Sequence, residues 1–139
     1  MIRKILYPAL VVLNIFLALT AIPGGFCLLT GIAAPPIEML NASWFNDYTI
    51  PGLTLMIIVG GSALVASVML IRKYKYALFY SAIVGLIIMT FEFVEVLAIG
   101  TPTGAGLVMQ IIYFLLGVLL VKWSLFVIYL DKKIKPDFL

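Results

Sequence analysis

The segment FEFVEV, residues 91–96, sets Glu92 and Glu95 inside an apolar run from Tyr76 to Gly100. At i, i+3 spacing the two carboxyls share one face of a helix. Acids carried into hydrocarbon can pair with a cation, hold or pass a proton, or hydrogen-bond a small polar molecule. The alternative is a purely structural cluster that fixes helix register, although interhelical hydrogen bonds contribute only about 0.6 kcal/mol each on average. Counting back from Gly100 at 1.5 Å per residue, the pair lies roughly 12 and 8 Å below the helix end. An acid at the bilayer midplane costs up to about 3 kcal/mol, which the surrounding Leu, Ile, Val, Phe and Met offset provided the carboxyls turn away from lipid.

Partners can be ranked by depth. Gln110 falls roughly 10 Å into the next run from its start at Thr103, level with the two acids. Asn14 and Thr90 lie nearer mid-membrane. Gly24 and Gly25 are read as a break in the first run that frees backbone N–H groups, and Tyr48, Ser43 and Asn46 approach from above. The candidate ligand-binding residues are therefore Glu92, Glu95, Gln110, Tyr48 and Asn14. No Lys or Arg is expected at that level, and without a countercharge the pair is expected to hold at least one proton at neutral pH.

The elements that must position these groups follow from composition. The 139 residues are 65% hydrophobic and 11% charged, and mean hydropathy is +1.24. So short a soluble domain has too little interior for that apolar surface, and the solvent for most of the chain must be lipid. Four runs reach the 20 or so residues that cross a bilayer: about 5–29, 51–71, 76–99 and 103–130. The expectation is a single all-α domain, an antiparallel four-helix bundle. The first run is read as a span and not as a cleavable signal, because no A-x-A site follows Pro23-Gly24-Gly25.

Charge sets the orientation. Arg3, Lys4, Arg72, Lys73, Lys75, Lys122, Lys132, Lys133 and Lys135 are all nine basic residues, and all fall on one side of a four-span chain. The other two connections carry Glu38, Asp47 and no base. The positive-inside rule therefore expects both termini in the cytoplasm, with the chain multi-pass in the plasma membrane. Residues 31–50 form the only long connection, expected to fold back as an outer lid, with a short helix after Pro35-Pro36. Asn41-Ala42-Ser43 fits the glycosylation sequon by pattern alone. Trp44, Phe45 and Tyr48 fit an outer aromatic belt.

Several functions are excluded. With no histidine, His-ligated haem or zinc and imidazole catalysis are absent, and the lone Cys27 permits no intramolecular disulfide or CxxC motif. No Ser–base or metal-ligand spacing stands out, so neither an enzyme nor a cofactor is expected. The basic residues cluster between apolar runs instead of forming a nucleic-acid-binding stripe.

AIPGGFCLLTG, SWFNDYTIPGLTLMIIVGGS, FVEVLAIG and QIIYFLLG together resemble a group of uncharacterised small four-helix integral membrane proteins of prokaryotes. The matching positions are Pro23, Gly24, Asp47, Tyr48, Pro51, Gly52, Glu95, Gln110 and Gly117. Phe91 stands where the resemblance implies Trp, and Glu92 departs from it. It implies the fold and no activity. Two functional expectations remain: a small binding or transport protein working as a homodimer, or an accessory subunit of a larger membrane complex.

Overall fold

Within lipid a backbone can satisfy its hydrogen bonds only internally, so each apolar run must close into a helix. The computed structural model describes residues 1–40 and 43–135. Among them the regular structure is entirely helical. Asn41 and Ala42 of the sequon, and the end of the DKKIKPDFL tail, lie outside the described residues. Four helices are long and apolar enough to cross a membrane: α1 (Ile2–Thr30), α2 (Thr49–Ile71), α3 (Ala77–Ile99) and α4 (Ala105–Ile134). A single 3-10 turn, Ile37–Leu40, follows Pro35-Pro36.

The helices exceed the expected boundaries mainly at one end of the bundle, where α1 starts at Ile2 and α4 runs on to Ile134. An ion pair spans this end. Arg3 Nε donates to Asp131 Oδ1 at 2.6 Å and Arg3 Nη2 approaches Asp131 Oδ2 at 3.4 Å, which ties the two extra turns together. Tyr7 Oη donates to the Leu70 carbonyl at 2.7 Å and binds α1 to the last turn of α2. At the start of α2, Asp47 Oδ1 accepts the Thr49 N–H at 2.9 Å. That bond holds the exposed Asp47 carboxyl below its ordinary range.

Packing divides the bundle into two closely packed pairs, α1 with α2 and α3 with α4. Each pair meets where a side chain is missing. A Cβ on Gly85 would lie 2.7 Å from the Gly117 carbonyl oxygen, and one on Gly117 would lie 2.8 Å from that of Gly85. The backbones therefore touch, as small residues allow in membranes. Gly25 plays the same part in the other pair, where a Cβ would lie 2.5 Å from the Gly52 oxygen. This corrects the expected break. Pro23, Gly24 and Gly25 all lie within continuous α1. Pro23 sits on its exposed face while Gly25 is buried against α2.

Within α2, Thr54–Gly61 is wound as a π-helix. Such widening is rare and is frequently found at functional sites. Thr54, Ile58 and Val59 of this stretch line a cavity beside α3.

Gly85→Val should force α3 and α4 apart and cost about 1–3 kcal/mol, the range for overpacking a close contact. Gly61→Ala, where an added Cβ meets nothing within 4 Å, should leave stability unchanged. Thermal unfolding of both variants in detergent micelles checks the contrast.

Candidate functional site

On α3 the buried stripe runs through Ser81, Gly85, Ile88 and Glu92. This is the 3–4 residue rhythm of one helix face. It carries Glu92 into the interior, where the residue is 3% exposed. On α4 the corresponding stripe begins with Gln110 and Tyr113, both buried.

Glu95, three residues further along α3, finds a partner. Gln110 Nε2 donates to Glu95 Oε1 at 3.2 Å and lies 3.3 Å from the Gly100 carbonyl oxygen. Gly100 can offer that oxygen because it leaves the helix with φ 74°, a conformation open to glycine without steric penalty. One amide thus joins the carboxyl to the chain reversal that starts α4.

Glu92 is in a different position. Neither of its carboxyl oxygens has a hydrogen-bond partner among the described residues, and the Gln110 Oε1 is unpartnered as well. Tyr113 follows Gln110 by three residues on the same inward face of α4. Tyr113 escaped the sequence reading, although its i+3 spacing from Gln110 on the same face would have found it.

Glu95, but not Glu92, lines a cavity of about 410 Å³. One side is built from α2 and α3, through Thr54, Ile58, Ile83, Leu86, Thr90 and Phe91. The other is built from the 31–48 connection, through Pro35, Leu40, Phe45 and Tyr48. Nearly all of these groups are apolar, with Tyr48, Thr54 and Thr90 supplying hydroxyls and Glu95 the one carboxyl. Tyr48 is 7% exposed, and its hydroxyl donates to the Pro36 carbonyl at 3.2 Å. It therefore belongs to the cavity wall and not to a surface aromatic belt. Trp44, at 80% exposure, remains on the surface.

The expected residues therefore separate into three places. Glu95 and Tyr48 line the cavity, and Gln110 is tied to it only through its hydrogen bond to Glu95. Glu92 is buried in the packed interior and does not line the cavity. Asn14 belongs elsewhere: its Nδ2 donates to Ser81 Oγ and to the Leu10 carbonyl, both at 2.9 Å. Ser81 precedes Glu92 by eleven residues, about 16 Å of helix, so Asn14 joins α1 to α3 well away from the acids.

Searches of protein-family models, curated proteins and solved structures return no match to this chain. Function must therefore be argued from the geometry.

A buried carboxyl without a partner is a net cost to the fold. Glu92→Leu should accordingly raise stability by about 1–3 kcal/mol, measured as an upward shift of the unfolding midpoint in micelles. A clear fall would show that Glu92 is satisfied by a group essential to the folded state. Gln110→Leu should have the opposite sign and cost about 1 kcal/mol.

Proposed function

We propose that the protein is an antiparallel four-span protein of the plasma membrane, with both termini cytoplasmic, that binds a lipophilic cation at Glu95. The single observation that carries this reading is the cavity of about 410 Å³ with one carboxyl in a largely apolar wall. Its volume falls within the range of small-molecule sites. An apolar body is suited to the aliphatic and aromatic wall, and a positive head to the acid.

The proposed sidedness rests on charge. One end of the bundle gathers Arg3, Lys4, Lys73 and Lys75 around a common hollow. Glu95, Gln110 and the 31–48 connection belong to the opposite end, which makes that connection an outer lid over the cavity. The exposed Ile58, Ile83 and Leu86 at its margin face the hydrocarbon in this arrangement. A lipophilic ligand could then enter sideways from the bilayer, between α2 and α3.

Gln110 has a defined part in the binding step. By donating to Oε1 it fixes the rotation of the carboxyl, leaving Oε2 for the ligand. A carboxyl in this setting either keeps its proton or pairs with a cation. Uptake of the cation by the protonated form therefore releases a proton, which is the elementary event of proton-coupled movement.

Tetraphenylphosphonium and tetraphenylborate have nearly the same shape and opposite charge. Binding of each to the protein in nanodiscs, read by calorimetry, tests the proposal. The cation should bind more tightly as pH rises, because protons compete for the same carboxyl. Glu95→Gln should weaken it by at least about tenfold, with no effect on the anion. Equal binding by the wild type and Glu95→Gln would refute the assignment.

A further inference from the structure

At the end of the bundle remote from Glu95 lies a second cavity, of about 360 Å³. Arg3, Lys4, Lys73 and Lys75 contribute cationic side chains, and Asp131 is the one acid in its wall. Asp131 is already engaged by Arg3 at 2.6 Å, so it does not neutralise the three lysines. Among the described residues no carboxylate forms a salt bridge with Lys4, Lys73 or Lys75. The hollow thus concentrates three uncompensated ammonium groups.

Its walls are built and not accidental. The Arg3–Asp131 pair and the Tyr7–Leu70 hydrogen bond hold α1 against α4 and α2. The turn after α2 is a Schellman closure, with the Tyr74 N–H bonded to the Met69 carbonyl and the Lys73 N–H to that of Leu70. Its left-handed position, where glycine is the usual residue, is occupied by Lys73 at φ 56°.

We propose that this cavity binds a phosphate group, and specifically the phosphodiester of an anionic phospholipid. Pro8 and Leu78 supply an apolar edge beside the lysines, which suits the start of an acyl chain and has no use for a free ion. Basic pockets between membrane helices on the cytoplasmic side recognise such headgroups. This reading is independent of the Glu95 site.

The test uses the full chain in a neutral detergent, with lipid retention followed by native mass spectrometry. Dioleoylphosphatidylglycerol should be retained in preference to dioleoylphosphatidylcholine. The triple variant Lys4→Gln, Lys73→Gln, Lys75→Gln should lose that preference by at least about tenfold. The charge-matched triple variant Lys132→Gln, Lys133→Gln, Lys135→Gln, altered outside the cavity, should keep it. Equal loss in both variants would mean general electrostatic attraction and would overturn the site, as would no preference in the wild type. Displacement of the lipid by millimolar inorganic phosphate would keep the phosphate site and overturn the lipid as its source.

Discussion

Everything at the candidate site depends on one constraint: a carboxyl carried into hydrocarbon by α3 must turn away from lipid. That requirement fixes the rotation of α3, because Glu92 has to lie on the same inward face as Ser81, Gly85 and Ile88. With α3 so turned, Gly85 meets Gly117, the backbones touch, and Gln110 is brought level with Glu95. Helix rotation, helix contact and site assembly are one geometric choice.

The outcome is an asymmetric use of two similar residues. Spacing of i, i+3 gives about 300° of rotation along an ideal helix, which leaves the two side chains roughly 60° apart. That difference is enough to bury Glu92 in the bundle and to send Glu95 towards the cavity beneath the 31–48 connection. Glu95 acquires a hydrogen-bond donor and an apolar hollow. Glu92 acquires a position in the packed interior with neither carboxyl oxygen engaged.

Much of the architecture was legible because lipid leaves few alternatives. Run length alone located four helices, and the depth count set Gln110 level with the two acids, of which it bonds Glu95. In helices apolar on every side, the hydrophobic pattern carries little information about rotation, whereas the rare polar residues mark the inward face: Asn14, Ser81, Glu92, Gln110 and Ser124 are all buried. What could not be read were contacts decided by tertiary packing. Pro23-Gly24-Gly25 has the composition of a break, but Gly25 lies inside a continuous helix, closely approached by Gly52 and Met56. Asn14 was a candidate partner of the acid pair by its polarity, yet it is taken up by Ser81. The π-helical stretch of α2 and the apolar character of the cavity depend on how α2 packs against its neighbours, which no local pattern encodes.

The two acids have different surroundings: Glu95 lines the hollow, whereas Glu92 is buried outside it. Dicyclohexylcarbodiimide enters from the bilayer and adds to carboxylic acids in apolar surroundings, so site-resolved mass spectrometry after labelling in membranes compares the two directly. The structure predicts an adduct on Glu95, suppressed by tetraphenylphosphonium, and an unlabelled Glu92. Labelling of Glu92 in preference to Glu95 would contradict it.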